Sequence, residues 1–341
     1  MSKNKHSAYD LAQMQSLPLQ AKIRMTKERI KQWYEYFGGQ VYVSFSGGKD
    51  STVLKHIVDS MYNDVPALFV NTGLEYPEIQ KFVKDIKEGK YDCFNTDVEI
   101  VRPERRFDEV IKEYGYPIAS KELSMKIYYA KKGSEWAKKY VDGSATEPMS
   151  DKPSRYRVSK TWLPFMDENA PKISPFCCNI MKKKPAHRYS LLTNRKVILG
   201  TMASESKIRE QAWEKTGCNA FESNIPKSQP MSFWTKNDVL EYIRTLNVPY
   251  ASVYGDIVKT GKTIERLTGN VPELKTTGCD RTGCMFCMFG CHIKNDKRFV
   301  EMKNTHPKQY DYCMKSVEEG GLGLKDVIDW TNAHCNTKIL Y

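Results

Sequence analysis

The sequence predicts an α/β fold with a doubly wound parallel sheet and, near the C-terminus, a cysteine-rich metal knuckle. Residues 41–45 form a β-branched and aromatic run that ends before two glycines, and a helical apolar pattern follows at residues 53–61. Further short apolar runs lie at residues 66–70, 98–101 and 196–201, with helical patterns between them. Strands that alternate with helices in this way form a parallel sheet, which binds ligands at the carboxyl ends of its strands.

Several helices have predictable ends. Residues 18–38 carry apolar side chains at helical spacing, and Gly38 and Gly39 end that pattern. Pro77 predicts the first turn of a later helix, where proline is tolerated. Thr235 predicts the N-cap of another, because its hydroxyl can accept from the free amides of the first turn.

The turn after the first predicted strand has the composition of a phosphate-binding loop. It reads Ser46-Gly47-Gly48-Lys49-Asp50-Ser51. Glycines let the backbone approach an anion closely, the amides at the start of the following helix attract it, and Lys49 adds a full charge. The loop is not a Walker A motif, because Asp50 stands where that motif has serine or threonine.

The composition favours an anionic partner and a reducing compartment. The formal net charge is +12 and the pI is about 9.0, which suits a nucleotide or a nucleic acid. Ten cysteines without a secretory leader pattern favour the cytoplasm and metal or thiol chemistry. The sequence has no apolar run long enough for a membrane span, so no membrane partner is expected, and it leaves the oligomeric state open.

Two groups of cysteines predict a metal site. The first is an adjacent pair, and the second is four cysteines within a short segment. They are Cys177 and Cys178, then Cys279, Cys284, Cys287 and Cys291. The two-residue spacing in the second group lets one backbone turn aim two thiolates at one metal ion or cluster.

These segments together resemble the PP-loop ATP pyrophosphatase superfamily, and within it the PAPS and APS (sulfonucleotide) reductase-like family. The loop matches the family's Ser-Gly-Gly-Lys-Asp-Ser. Residues 200–209 match its Gly-x-x-x-x-(Asp/Glu)-Ser-x-x-Arg segment, and residues 234–243 match Trp-Thr-x-x-Asp-Val-x-x-Tyr-Ile. The superfamily also contains tRNA sulfurtransferases and DNA phosphorothioation enzymes. The resemblance spans about residues 40–292 and implies an adenine nucleotide α-hydrolase-like fold.

The resemblance implies a site for ATP or a sulfonucleotide. The residues implied to bind it are Ser44, Ser46, Gly47, Gly48, Lys49, Asp50, Ser51, Asn71, Thr72, Gly73, Gly200 and Thr201. Lys49, Asp50 and Arg209 are the implied catalytic residues. Lys49 would stabilise a leaving pyrophosphate together with Mg²⁺, and Arg209 would pair with a phosphate or sulfate.

The resemblance also implies two rival ligand sets. The framework of the APS reductases implies a [4Fe–4S] cluster on Cys177, Cys178, Cys284 and Cys287. The clustered cysteines of the DNA phosphorothioation enzymes imply instead Cys279, Cys284, Cys287 and Cys291. Zn²⁺ on this second quartet is the alternative to an iron–sulfur cluster.

The predicted organisation has three parts. They are an N-terminal helical segment at residues 1–38, a PP-loop nucleotide-binding domain at residues 39–270 with an irregular insertion at residues 130–176, and a cysteine-rich knuckle with a helical tail at residues 271–341.

Three functions stay open at this point. In the first, ATP adenylates an acceptor, nucleic acid among the candidates, pyrophosphate leaves, and a sulfur donor displaces AMP. The second is sulfonucleotide reduction, in which a thiolate attacks PAPS or APS and sulfite is released with the help of a thiol reductant. The family's Glu-Cys-Gly-Leu-His segment for that step is missing, and the tail offers only Cys313 and Cys335. The third is a nucleotide- or nucleic-acid-binding module without turnover.

Overall fold

A six-stranded, mostly parallel sheet is the centre of the α/β fold, as the sequence predicts. The computed structural model describes residues 4–147 and 150–341, so residues 1–3 of the predicted N-terminal segment and residues 148–149 of the predicted insertion lie outside the described residues. The strands are β1 (Val41–Ser44), β2 (Ala67–Val70), β3 (Val98–Val101), β4 (Lys196–Leu199), β5 (Asn219–Ala220) and β6 (Lys227–Ser228). Their order is β3-β2-β1-β4-β6-β5, with β5 antiparallel to β6 and the other pairs parallel.

The sheet is doubly wound. From β1 the chain adds β2 and then β3 on one side, and it later returns to place β4 on the other side of β1. Ser44 at the end of β1 pairs in register with Leu199 at the end of β4. The reversal of strand order therefore lies between β1 and β4, which is where open α/β sheets bind their ligands.

Helices and one two-stranded hairpin complete the fold. The helices are α1 (Ala8–Ser16), α2 (Leu19–Tyr36), α3 (Lys49–Asp59), α4 (Pro77–Lys87), α5 (Phe107–Tyr114), α6 (Lys121–Lys131), α7 (Glu135–Val141), α8 (Lys184–Thr193), α9 (Lys207–Thr216), α10 (Lys236–Leu246), α11 (Arg298–Thr305), α12 (Pro307–Met314) and α13 (Leu324–His334). The hairpin joins β7 (Ile257–Ile264) to β8 (Val271–Thr276). None of the described helices is long and apolar enough to cross a membrane.

The described residues pack into two compact units, each built from two stretches of chain. The first unit comprises the described part of Met1–Arg102 together with Pro185–Gly283, and it contains the sheet. The second comprises the described part of Pro103–Lys184 together with Cys284–Tyr341. The domain boundaries at residues 38 and 270 stay predictions, because a packing unit is not by itself a folding domain.

Burial on both faces of the sheet explains why its strands read as continuous apolar runs. Val41 and Val43 point into the main core, where neither has any exposed surface. Tyr42, between them, packs on the opposite face with Leu68 and Tyr189. Parallel strands covered on both faces lose the alternation of polar and apolar residues that marks a half-exposed strand.

The region predicted as an irregular insertion contains regular structure. Within residues 130–176 lie α7 and a 3₁₀-helix at Lys160–Met166. Trp162 and Phe165 anchor the 3₁₀-helix in the interior, with 6% and 0% of their surface exposed. These elements are too short, and bury too few side chains, to give a helical pattern in the sequence.

Candidate functional site

The predicted phosphate loop connects β1 to the N-terminus of α3. Gly48 is the N-cap and Lys49 is the first helical residue, so the loop lies at the positive end of the helix. Gly47 has a φ of +70°, and a Cβ there would lie 2.8 Å from Cγ2 of Ile79. Glycine is therefore required at this position for both backbone conformation and space.

Two serine side chains hold the loop in shape. The Ser51 hydroxyl donates to the carbonyl of Gly48 at 2.9 Å and accepts from the amide of Ser46 at 3.1 Å. The hydroxyls of Ser46 and Ser51 also lie 3.0 Å apart. A loop fixed in this way before a ligand arrives loses little conformational freedom on binding.

The end of β4 approaches the loop from the other side of the crevice. A Cβ on Gly200 would lie 3.0 Å from the carbonyl oxygen of Asp50 and 3.3 Å from Cα of Ser51. This contact is between two backbones, so a side chain at position 200 would push the first turn of α3 away. The absence of a side chain is what lets β4 and α3 form one wall of the site.

A cavity of about 300 Å³ opens at this crevice. The predicted residues that line it are Ser44, Ser46, Gly48, Lys49, Asp50, Ser51, Gly200, Thr201 and Arg209. The volume is at the lower end of the range for ligand pockets. The structure thus brings the loop and the 200–209 segment together around one space.

Four of the predicted nucleotide residues do not line this cavity. Gly47 faces Ile79 and Val83 beneath the loop. Asn71, Thr72 and Gly73 form a turn after β2. In that turn the Thr72 hydroxyl donates to a carboxylate oxygen of Glu75 at 2.6 Å, and the amide of Gly73 donates to the Asn71 side chain at 3.1 Å. Their part in binding stays a prediction.

Lys49 is held inside the cavity wall. Its ammonium donates to the carbonyl of Asp280 at 2.8 Å and lies 4.4 Å from the centre of the Tyr254 ring. Burial lowers the pKa of Lys49, and the charges of Asp280 and Asp50 oppose that shift. The cavity wall therefore carries a cation with little water around it, which strengthens its attraction for an anion.

Two arginines share one carboxylate at the rim. Glu205 pairs with Arg209 and, at 2.8 Å, with Arg281. Burial lowers the pKa of Arg209, and the nearby charge of Arg281 acts in the same direction. Burial raises the pKa of Asp50, while Lys49, Arg281 and Arg209 oppose that shift. A phosphate in the cavity would meet Lys49, held by a backbone carbonyl, and two arginines oriented by the carboxylate of Glu205.

Sequence reasoning missed six of the lining residues. They are Leu199, Glu205, Tyr254, Asp280, Arg281 and Thr282. The hydroxyl of Tyr254 shares a hydrogen bond with the hydroxyl of Thr282, and it also accepts a hydrogen bond from the amide of Lys49 at 3.4 Å. Lys49 and Tyr254 are 205 positions apart in the chain. No local pattern marks such a contact, and the sequence indicates Asp280–Thr282 only as part of the cysteine-rich segment.

The second unit holds the adjacent cysteine pair together with two cysteines of the later segment. Cys177 and Cys178 share a hydrogen bond, which raises the pKa of Cys177; burial and the charges of Cys178, Cys287 and Cys284 add to that rise. The same bond lowers the pKa of Cys178, with further help from Lys121 and against the effect of burial. Cys177 is therefore near enough to the other three cysteines of the first predicted ligand set for their charges to affect its pKa, and their part in binding a cluster stays a prediction.

The two remaining cysteines of the rival quartet have other surroundings. Cys279 belongs to the first unit, where its sulfur lies 3.5 Å from the hydroxyl of Tyr76 and 3.7 Å from the carbonyl of Arg281. Cys291 is buried in the second unit and donates to the carbonyl of Met288 at 2.9 Å. Burial raises the pKa of Cys291 to about 12.

An arginine orders the turn between Cys284 and Cys287. The guanidinium of Arg298 donates to the carbonyls of Cys287 at 2.8 Å and Phe289 at 2.9 Å. The amide of Cys287 donates to the carbonyl of Cys284 at 3.2 Å.

In the part of the chain that the structure describes, no three histidine, cysteine, aspartate or glutamate side chains are placed to hold a single metal ion.

Comparison with known proteins gives a family match that spans most of the chain. The phosphoadenosine phosphosulfate reductase domain matches residues 40–145 and 150–289. An adenosine 5'-phosphosulfate reductase of Oceanobacillus iheyensis is 22% identical over 227 residues, which are 66% of this chain and 71% of that protein.

Two further matches are a relative of limited coverage and a solved structure of low identity. An uncharacterized protein of Methanocaldococcus jannaschii is 38% identical over 90 residues, which are 26% of this chain and 18% of that protein, so the match spans less than a fifth of that relative. The solved structure of the U34-tRNA thiolase NcsA from Methanococcus maripaludis with its [4Fe–4S] cluster is 14% identical, with a TM-score of 0.33, over 68% of this chain and 66% of the thiolase.

Proposed function

The chain belongs to the phosphoadenosine phosphosulfate reductase domain family, and on that premise we propose that its first unit binds ATP and adenylates an acceptor for sulfur transfer or nucleic-acid modification. The observation that carries the proposal is the cavity at the β1–β4 switch point. There the Ser46–Ser51 loop, the start of α3 and three cationic side chains face one space of about 300 Å³. Backbone amides and cations gathered in this way suit a nucleoside triphosphate.

The proposed reaction has two displacements. An acceptor oxygen attacks the α-phosphorus of ATP, the bond from that phosphorus to the bridging oxygen breaks, and pyrophosphate leaves with the electron pair. A hydrosulfide donor then attacks the carbon that bears the adenylated oxygen, the carbon–oxygen bond breaks, and AMP leaves. Lys49 and the loop amides would stabilise the charge that develops on pyrophosphate.

Asp50 is the proposed protein ligand for Mg²⁺. It lies in the first turn of α3, and it lines the cavity beside Lys49. Mg²⁺ in nucleotide enzymes uses one or two carboxylates and completes its shell with phosphate oxygens and water. A site of this kind needs no preformed group of three protein ligands.

We propose that Cys177, Cys178, Cys284 and Cys287 hold a [4Fe–4S] cluster in the second unit. The charges of the other three cysteines all act on the pKa of Cys177, which supports this set. A [4Fe–4S] cluster has four iron corners, so its ligands stand farther apart than the ligands of one Zn²⁺ ion, which must converge at about 2.3 Å from the metal. When bound, such a cluster supplies structural support or an iron site for sulfur. Ten free thiols and an oxygen-sensitive cluster both suit the cytoplasm.

Sulfonucleotide reduction is the second candidate, favoured by the named activity of the Oceanobacillus iheyensis relative. That reaction needs an accessible thiolate as nucleophile. Cys313 and Cys335, the cysteines of the tail, have 0% and 1% of their surface exposed. Burial raises the pKa of Cys313 to about 12 and that of Cys335 to about 11. Both observations favour adenylation over reduction in this chain.

The test compares two products. Anaerobically purified protein is incubated with ATP, Mg²⁺ and hydrosulfide plus total RNA or genomic DNA, or with APS or PAPS plus a thiol reductant. We expect release of pyrophosphate in the first reaction, and a loss of about 10²–10³-fold in Lys49→Ala because an oriented charge at the leaving group is removed. Lys262→Ala, an exposed lysine of β7 in the same unit, is the matched control.

Other results would redirect the assignment. Sulfite from APS or PAPS without pyrophosphate release would favour the reductase. Nucleotide binding without either product would favour the module that binds without turnover. Unchanged pyrophosphate release in Lys49→Ala would refute the proposed role of that lysine.

A further inference from the structure

Aromatic and basic side chains alternate along a continuous strip of the second unit. The rings of Trp136 and Tyr140 lie 5.3 Å apart, and the ammonium of Lys126 lies 4.4 Å from the centre of the Tyr140 ring. The same ammonium lies 5.6 Å from the ring of Tyr156, which in turn has the guanidinium of Arg155 at 5.3 Å. We call these five residues the aromatic–basic strip. It joins α6, α7 and the segment that follows α7.

The strip presents its aromatic and cationic groups to solvent at both ends. Trp136 has 47% of its surface exposed and Tyr156 has 53%, which is unusual for rings of this size. The side chain of Arg155 is 76% exposed, although Glu147 lies 3.7 Å from its guanidinium. Arg157 is exposed beside it. Aromatic faces and cations are thus both available to a ligand from solution.

A cavity lies next to the strip. It measures about 220 Å³ and is lined by Ser120, Glu122, Lys126, Arg155, Tyr156 and Arg157, with two apolar neighbours. Three of its lining residues are basic and one is acidic. The acidic one, Glu122, already pairs with Lys126. The cavity therefore offers an anion the two arginines at its edge.

Lys126 keeps the strip together. Its side chain is only 4% exposed, and its ammonium donates to the carboxylate of Glu122 and to the carbonyl of Tyr156. Because that carbonyl belongs to the segment after α7, the bond ties Tyr156 to α6. The backbone that carries the exposed ring of Tyr156 is consequently held against α6.

The surrounding sequence is strongly basic. Residues 120–160 contain ten lysines and arginines and five aspartates and glutamates, an excess of five positive charges in 41 positions. The whole chain of 341 residues carries a net charge of +12. This stretch thus contributes about two-fifths of the net charge from about an eighth of the length, so the positive field is concentrated where the exposed rings are.

We propose that the aromatic–basic strip binds single-stranded nucleic acid, with bases stacked on Trp136 and Tyr156 and phosphates paired with Arg155 and Arg157. Stacking on exposed rings needs bases that are not already stacked in a duplex, which is why a single strand fits and a double helix does not. The phosphate contacts add affinity that does not depend on sequence. RNA and DNA share this chemistry.

The claim that the bound strand accepts the adenylyl group rests on the proposed function. The claim that the strip binds single-stranded nucleic acid does not depend on it. The two can fail separately. Lys49→Ala should slow nucleotide chemistry by about 10²–10³-fold and leave oligonucleotide binding intact, whereas Tyr156→Ala should weaken oligonucleotide binding and leave ATP binding intact.

The experiment is fluorescence anisotropy of the full chain with labelled oligonucleotides of about 12 nucleotides, RNA and DNA separately, at several salt concentrations from about 50 mM upward. Trp136→Ala and Tyr156→Ala should each weaken binding by about 5- to 150-fold, as the loss of one stacked base does. Tyr156→Phe should restore it, because the ring is kept. Arg157→Gln should reduce the slope of log affinity against log salt by about 0.7.

Tyr9→Ala is the matched control, since Tyr9 is an exposed ring of the first unit, 70% exposed on α1. It should bind as the unchanged chain does. Thermal unfolding of every variant shows whether the fold is retained, and side chains as exposed as these are expected to leave it intact.

Preference for either RNA or DNA supports the proposal. Three results would overturn it: no binding of single strands at the lowest salt, binding by Trp136→Ala and Tyr156→Ala equal to that of Tyr9→Ala, or equal affinity for a duplex of the same length. Binding to vesicles containing phosphatidylserine but not to oligonucleotides would also overturn it, in favour of a membrane surface.

Discussion

Replacement of Asp238 by alanine should destabilise the first unit more than any exposed substitution, because it removes the centre of a buried ion network. Asp238 has no exposed surface. One carboxylate oxygen lies 2.6 Å from the ammonium of Lys22 and the other lies 2.7 Å from the guanidinium of Arg266. Lys22 is also fully buried. The carboxylate further accepts from the amide of Thr235 at 2.7 Å, where it completes the N-cap of α10.

The expected loss is about 3–5 kcal/mol in the free energy of unfolding, the usual effect of removing one partner of a buried ion pair. The larger part comes from Lys22, whose charge would stay buried without a counter-ion. Two contacts remain and limit the loss: the carbonyl of Gln15 accepts from Lys22 at 2.6 Å, and Glu241 pairs with Arg266 at 2.7 Å. The lost cap adds to the effect in the same direction.

The same variant should gain stability with rising pH. Burial lowers the pKa of Lys22 below its ordinary value of 10.5, and the charge of Asp238 opposes that shift. Without Asp238 the pKa falls further, so the unfolded chain binds more protons at Lys22 than the folded chain does. Stability then rises with pH between the lowered pKa and 10.5, and the deficit of Asp238→Ala should be smaller at about pH 10 than at about pH 7.

Urea unfolding followed by circular dichroism measures both effects. Glu35→Ala is the control, because Glu35 and Lys31 form an exposed pair at 3.8 Å, with 61% and 55% of their side chains exposed. That substitution should change stability by no more than about 0.5 kcal/mol. A loss below about 1 kcal/mol for Asp238→Ala would refute the reasoning, since it would mean that Lys22 finds water or another partner at little cost.

Two further predictions concern the candidate sites. Gly200→Ala should lower the free energy of unfolding by about 1–3 kcal/mol and weaken ATP binding measured by calorimetry, because its Cβ would press on the backbone of Asp50. Gly283→Ala is the control, since no atom lies within 4 Å of the Cβ that it adds. Equal behaviour of the two variants would contradict the close approach of β4 and α3. Cys178→Ser should lose iron and acid-labile sulfide after anaerobic purification, while Cys279→Ser should keep both; the reverse result would support the rival quartet.

The parts of the fold that could be predicted are those encoded locally. β1, the loop and α3 follow one another within a few residues, and burial on both faces makes β1 a continuous apolar run. The N-cap at Thr235 could be found because its partner, Asp238, lies three positions away. Patterns of this kind need no knowledge of the rest of the chain.

The parts that could not be predicted depend on distant contacts or on very short elements. β5 and β6 have two residues each, too few for any periodicity. The hairpin of β7 and β8 is only partly buried and carries several polar side chains, so it lacks the continuous apolar signal of the sheet strands. Tyr254 and Arg281 reach the cavity only because the chain folds back onto the loop. Sequence patterns show the scaffold of such a site better than the side chains that complete it.

The most direct test of the central claim is anaerobic calorimetry of the metal-replete protein with ATP and Mg²⁺, with APS and with PAPS. We predict that ATP with Mg²⁺ binds more tightly than either sulfonucleotide, and that Lys49→Ala and Arg209→Ala both weaken it. A clear preference for APS or PAPS would contradict adenylation and direct the search for a nucleophile to Cys313 and Cys335.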